Sequence, residues 1–168
     1  MTEPPDDWSD WLSKHGAALV LFARQWVGNR ADAEDVVQDA FLRFWRSRDR
    51  ARDPAAYLYA CVKSSASQWW RKRRRQTRGN EAFARDWPPA EESSFIGPVE
   101  EAERRAILEA AMRTLPEAQR EVLVLKIWGA LSFPQIGVAL GIPANTAASR
   151  YRYALEKLRE VLAEQLRL

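Results

Sequence analysis

The chain has one cysteine, Cys61, and one histidine, His15, among 168 residues. A single cysteine excludes a disulfide framework and a thiolate zinc cluster. With one histidine beside it, no nucleophile–base pair of the usual kinds can be assembled. The sequence also lacks a glycine-rich phosphate loop and any metal-ligand spacing. No apolar run approaches the ~20 residues of a membrane span, and residues 1–10 are acidic and polar, unlike a secretory leader. Strand signals are absent. These gaps argue against an enzyme, a cofactor, a bound metal and membrane insertion, and they fit a reducing cytoplasm. Cys61, with Leu58, Val62 and Ser65 around it at helical spacing, reads as a buried thiol. His15 lies on an apolar stripe and reads as a core histidine rather than a ligand.

Apolar residues make up 46% of the chain, enough for a packed core. The net charge of +3 is unevenly spread. Residues 1–62 hold 8 basic and 10 acidic side chains, 63–78 hold 7 basic and none acidic, and 79–105 hold 3 basic and 7 acidic. One local positive block therefore sits in a nearly balanced chain, as expected of a nucleic-acid-binding segment. Arg71, Lys72, Arg73, Arg74 and Arg75 are its centre, with Arg78 behind them. Solvated helix ends also carry basic runs, because cations complement the helix dipole. Two features favour nucleic acid here. Trp69 and Trp70 precede the run and can stack on unpaired bases, and the acid-free stretch upstream holds Ser64, Ser65, Ser67 and Gln68. Trp69 shares the phase of Val62 and Ser65 and is expected in the core, which leaves Trp70 for stacking.

The periodicity is helical throughout. Trp8, Trp11, Leu12, Leu19, Phe22 and Trp26 define a first helix, with Gly28 as its expected stop. Asp32 is the expected N-cap of a second helix, with Val37, Ala40, Phe41 and Phe44 inward and Asp39 and Arg43 paired at i,i+4. Asp53 and Pro54 open a third helix predicted to run to about Arg75. Residues 79–98 read as a linker, with paired prolines, paired acids and no period. The division is thus 1–78, a linker at 79–98, and a second domain at 99–168. That second domain opens with a helix carrying Ile107, Leu108, Ala111 and Met112. Thr114 to Glu117 and Ser132 to Gln135 both read as capping boxes. Gly129 and Gly141 end the helices between, and Asn145 or Thr146 caps the last. Helix, glycine turn, helix is the helix-turn-helix pattern. The fold expected is all-α, two small helical domains.

Two segments carry a resemblance. Residues 32–46 closely resemble the polymerase-binding helix of extracytoplasmic-function (ECF) sigma factors. Residues 115–125, then 140–143 and Ser149-Arg150, resemble their C-terminal promoter-reading domain. The order, length and acidic linker are also similar, so the resemblance covers nearly the whole chain. It implies a factor that binds core RNA polymerase and promoter DNA and is held by an anti-sigma factor. By resemblance, Asp35, Gln38, Asp39, Leu42, Arg43, Trp45 and Arg46 would meet the polymerase clamp. Arg50, Arg52, Lys63, Trp70 and residues 71–75 would meet the −10 element. Asn145, Thr146, Ala148, Ser149, Arg150, Arg152 and Tyr153 would meet the −35 element. Arg150 is the expected base reader, since its planar fork matches guanine. The chain departs from the family's usual residues at Gln135, Gly137, Asn145 and Ala148, and residues 53–57 are shorter and less polar than many −10 loops. Two rival readings are a mimic that sequesters an anti-sigma factor and a stand-alone helix-turn-helix regulator. The mimics similar to this chain carry a receiver domain, which is missing here, and the clamp-like helix argues against the regulator.

Overall fold

The computed structural model describes residues 8–76 and 99–167. Every regular element among them is helical: α1 (Trp8–Ala23), α2 (Arg30–Ser47), α3 (Pro54–Gln76), α4 (Val99–Arg113), α5 (Glu117–Ile127), α6 (Phe133–Leu140) and α7 (Ala144–Leu166). A single 3-10 turn, Arg48–Arg50, leads from α2 toward α3. This is the all-α architecture expected, with α1–α3 and α4–α7 as its two groups. The expected linker at 79–98, and Arg78 before it, lie outside the described residues.

Local chemistry sets the helix starts, and three differ from expectation. Asn29, not Asp32, caps α2. Its Oδ1 accepts from the Asp32 amide at 2.8 Å, and its Nδ2 donates to Asp32 Oδ2 at 2.7 Å. Asp32 is thus the reciprocal partner in the first turn, where its charge suits the helix dipole. The cap of α5 is Pro116, with no side-chain bond. Thr114 instead donates to the Ala111 carbonyl at 2.7 Å, closing the end of α4. Pro143 precedes α7 in the same way, so Asn145 and Thr146 lie inside its first turn. Proline takes these positions because its fixed φ suits the entry and the first N–H groups of a helix are unbonded anyway.

Two starts are as expected. Asp53 Oδ1 accepts from the Ala56 amide at 3.1 Å, with Pro54 as the first residue of α3. Ser132 and Gln135 form a full capping box on α6. α1 stops at Ala23, before Gly28, because the chain turns back through Gln25 N–H to Phe22 O and Trp26 N–H to Ala23 O. Gly141 ends α6 with φ +68°, a left-handed conformation that glycine adopts without strain.

The first group packs around Leu19, Phe22, Phe44, Leu58 and Val62. The second packs around Leu115, Val122, Leu125, Ile136, Ala147 and Ala154. These residues belong to one continuous apolar cluster, because α3 lies against α2 on one side and α6 on the other, and α1 meets α5. Polar contacts also cross the junction. Trp26 Nε1 donates to Glu117 Oε1 at 3.2 Å, Gln135 Nε2 donates to Asp53 Oδ2 at 2.9 Å, and Lys63 Nζ lies 3.5 Å from Glu121 Oε2. Tyr59 is fully buried at the same junction, and a Cβ on Gly129 would come within 3.2 Å of its hydroxyl. That hydroxyl has no hydrogen-bond partner among the described residues.

Candidate protein and nucleic-acid interfaces

The outer face of α2 is the most apolar exposed surface of the first group. Leu42 is 60% exposed and Trp45 41%. Asp35, Gln38 and Arg46 are exposed around them. The Arg48 guanidinium sits 3.7 Å over the Trp45 ring and also donates to the Trp45 carbonyl. A cation stacked this way holds the indole in one orientation. Asp39 and Arg43 are committed within the fold as well. Arg43 Nε pairs with Asp39 at 3.2 Å, Ser65 donates to the same carboxylate oxygen at 3.0 Å, and Arg43 donates to Gln68 at 2.6 Å. The two residues therefore tie α2 to α3, and the apolar pair beside them is left for a partner.

On α3, the structure reverses the expectation for the two tryptophans. Trp70 is buried, at 9% exposure, while Trp69 is half-buried with Arg73 5.4 Å over its ring. The reason is a second buried stripe. Leu58, Cys61, Val62 and Ser65 fit a helix covered on one side, but Tyr59, Val62, Ala66 and Trp70 are buried as well. Tyr59 and its neighbour in phase, Lys63, touch residues of the second group. Trp70 follows at the same spacing. Arg71, Lys72, Arg73, Arg74 and Arg75 are all exposed at the end of α3, and Arg50 and Arg52 are exposed before its start. Lys63 and Trp70 are the exceptions in the expected −10 set: Glu121 engages Lys63, and Trp70 is buried.

Glu121 is a charge that folding buries, at 5% exposure. Burial pushes its carboxyl above the ordinary carboxylate range; Lys63 and Arg150 oppose that shift, and Glu117 adds to it. Arg150 is accordingly only half-exposed and electrostatically felt by α5, while Arg152 and Tyr153 are open on the outer side of α7. Arg152 lies 5.1 Å over the Tyr153 ring. Asn145 is exposed, and Thr146, Ala148 and Ser149 are half-exposed along the first turns. Ala147, Ala154 and Leu158 hold the opposite face. The seven expected −35 residues therefore occupy one N-terminal portion of one helix. His15 stacks on Trp11 with ring centroids 4.4 Å apart, and no metal-binding group of His, Cys, Asp or Glu occurs among the described residues.

Sequence reading missed Asp53 and Gln135 as partners of each other. Both were assigned as caps, and nothing in the spacing of two helix starts 82 residues apart signals a bond between them.

Comparison with known proteins accords with this arrangement. Residues 11–76 match sigma-70 region 2, and residues 105–158 match sigma-70 region 4. The RNA polymerase sigma-E factor of Streptomyces coelicolor is 30% identical over 159 residues, covering 93% of this chain and 86% of that one. The ECF RNA polymerase sigma factor SigL of Mycobacterium tuberculosis is 31% identical over 155 residues, covering 90% and 86%. Among solved structures, the sigma factor RpoE with the anti-sigma factor NepR from Bartonella quintana superposes with a TM-score of 0.71 at 23% identity, covering 94% of this chain and 97% of that one. CnrH with the cytosolic domain of CnrY gives 0.60 at 25% identity, covering 92% and 86%.

The chain belongs to the sigma-70 family. Within it, the chain is an ECF RNA polymerase sigma factor, a transcription initiation factor that binds core polymerase and promoter DNA and directs promoter-specific initiation. No helix among the described residues is long and apolar enough to cross a membrane.

Proposed function

We propose that the domain at 1–78 docks on core polymerase through the Leu42–Trp45 face of α2 and captures the −10 element along α3, and that the domain at 99–168 reads the −35 element with the start of α7. The linker at 79–98 spans the two. The observation that carries the docking assignment is the exposed Leu42 beside an indole held by Arg48, amid Asp35, Gln38 and Arg46. A fixed aromatic and a bare leucine ringed by charge is the composition of an interface centre. Asp39 and Arg43 support that face from behind by tying it to α3.

Arg50, Arg52 and residues 71–75 contact phosphates and set affinity and salt dependence. Lys63 and Trp70 act on the −10 strand once it is unpaired and once both side chains, one paired with Glu121 and the other buried in the free chain, are released, because stacking is available only to open bases. At the second site, Asn145 and Thr146 lie where free backbone N–H groups favour a phosphate. Arg150 reads a base, Arg152 binds phosphate, and Ala148, Ser149 and Tyr153 complete the contact. The factor works in the cytoplasm, catalyses nothing itself, and is held by an anti-sigma factor, as the sigma factor RpoE of Bartonella quintana is found with the anti-sigma factor NepR.

Leu42→Ala tests the docking face. It is expected to weaken core polymerase binding by ~1–2 kcal/mol in a competition assay while leaving the melting temperature unchanged, since the side chain touches water in the free chain. Unaltered core affinity in a normally folded variant would return α2 to a purely structural role.

A further inference from the structure

Among the uncharged polar residues that precede the basic block of α3, the fold turns Ser65 inward and Gln68 outward. Ser65 is buried and donates to Asp39 Oδ2 at 3.0 Å. The same oxygen lies 3.2 Å from Arg43 Nε, and Arg43 Nη2 donates to Gln68 Oε1 at 2.6 Å. The last bond has only one possible sense. A guanidinium carries donors and no acceptor, so it is the oxygen of the Gln68 amide that must face it. Turning the amide over would set its NH2 group against the guanidinium donors. Arg43 therefore fixes which half of the amide is spent on the fold and which half is left. What is left is Nε2 with its two N–H donors, on an exposed side chain.

Gln68 stands on the solvent-facing stripe of α3. Ser64 lies one turn before it, Arg71 and Lys72 one turn after and Arg75 two turns after, and all are exposed. No acidic residue occurs between Asp53 and Glu81 to repel a nucleic acid from this stripe. The cations can hold phosphates, but a phosphate contact carries no sequence information. Gln68 can supply it, because its donors are fixed in direction and stand beside the cations that would hold the strand. A free glutamine pairs with adenine by using its oxygen and nitrogen together. With the oxygen engaged by Arg43, that pairing is closed. The remaining donors suit O6 of guanine or O4 of thymine. Opposite the amino group of adenine or cytosine they would set donor against donor.

We propose that Gln68 is a specificity-determining residue of this factor: an amide oriented by Arg43 that selects a keto base, guanine or thymine, at one position of the −10 element. Arg43 is its positioning residue. The inference rests on the assignment of α3 to the −10 element, and the experiment separates the two claims.

Holoenzyme is assembled from core polymerase and the full-length chain and offered a library of barcoded duplex promoters randomised across both promoter elements. Sequencing the transcripts gives each holoenzyme's relative preference at every position, independent of how much of it forms. The parent is expected to favour guanine or thymine over adenine or cytosine roughly tenfold at one −10 position, on the scale of one base contact. Gln68→Glu keeps an acceptor for Arg43 and presents a second acceptor outward. It is expected to reverse the preference at that position toward adenine or cytosine, with a melting temperature no lower than the parent's, because Arg43 gains an ion-pair partner. Gln68→Met is expected to flatten the preference. Arg43→Met frees the amide to turn and is expected to widen the preference to include adenine. A Gln68 that only tied α3 to α2 would leave the profile of Gln68→Glu unmoved or weaken every template alike, and either result overturns the proposal. A parent preference for adenine at the responding position, or an Arg43→Met profile identical to the parent's, overturns the orientation by Arg43. Contact of α3 with DNA is measured separately, from the salt dependence of promoter binding in an Arg71→Ala, Lys72→Ala chain. A flattened slope with an unmoved Gln68→Glu profile removes Gln68 alone, whereas an unaltered slope removes the assignment of α3 itself.

Discussion

Arg150 lies between two duties. Its position in the first half of α7 suits base reading, yet its charge is also felt by Glu121, buried on α5. A planar guanidinium that only balanced Glu121 would add nothing to sequence preference. Arg150→Ala is expected to cost ~1–3 kcal/mol on the preferred −35 sequence and to lower discrimination at one base pair in a binding series across upstream variants. Equal weakening on every sequence would demote it to a phosphate contact.

Glu121 offers a second measurement at this scale. Burial raises its carboxyl pKa in the fold, and the lysine beside it offsets only part of that shift. The folded state therefore holds the proton more tightly than the unfolded state. The stability linked to that proton is present at acid pH and is lost as pH rises from the ordinary glutamate value through the raised one. Glu121→Gln should melt above the parent at pH 7.5, with the gap closing toward pH 4. A lower melting temperature at pH 7.5 would mean that the Lys63 pair outweighs the burial of the charge.

Single side chains were legible where one neighbour decides them. The exposure of Leu42 and Trp45 follows from a single amphipathic period. The reversal of Trp69 and Trp70 does not, because helical phase shows which residues share a face but not how many faces will be covered.

At the scale of elements, the sequence placed all seven helices and misplaced three of their starts. The misses have one cause. In each case a second residue suited to a helix entry, Asn29, Pro116 or Pro143, stands within three positions of the one expected and takes the cap. Ser132 and Gln135 had no rival, and their box formed as read.

The turn between α6 and α7 is specified more tightly than its sequence suggests. A Cβ on Gly137 would stand 2.6 Å from the Ile142 carbonyl oxygen, a backbone atom, and the Ile142 N–H already donates to the Gly137 carbonyl at 3.0 Å. Helix propensity alone favours alanine at this position by ~1 kcal/mol. Gly137→Ala should nevertheless destabilise the chain by ~1–3 kcal/mol, the usual cost of an overpacked contact, and weaken −35 binding by moving α7. A stabilised variant in thermal unfolding would show that the turn gives way.

For the whole molecule, composition spoke clearly about class and not about arrangement. The block at 63–78 and the caesura at 79–98 gave two helical units and a nucleic-acid partner. That α3 would be sandwiched between α2 and α6 was hidden, because the bond between Asp53 and Gln135 is made by two residues each already explained by its own helix.

The unbroken apolar cluster, running from Leu19 and Phe22 through Tyr59 to Leu123 and Ala154, governs how the chain takes up heat. Two separate cores would absorb it in two steps. A shared one makes each half the other's solvent shield, so neither can melt while its neighbour stays whole. The free protein should give a single calorimetric peak whose van't Hoff and calorimetric enthalpies agree.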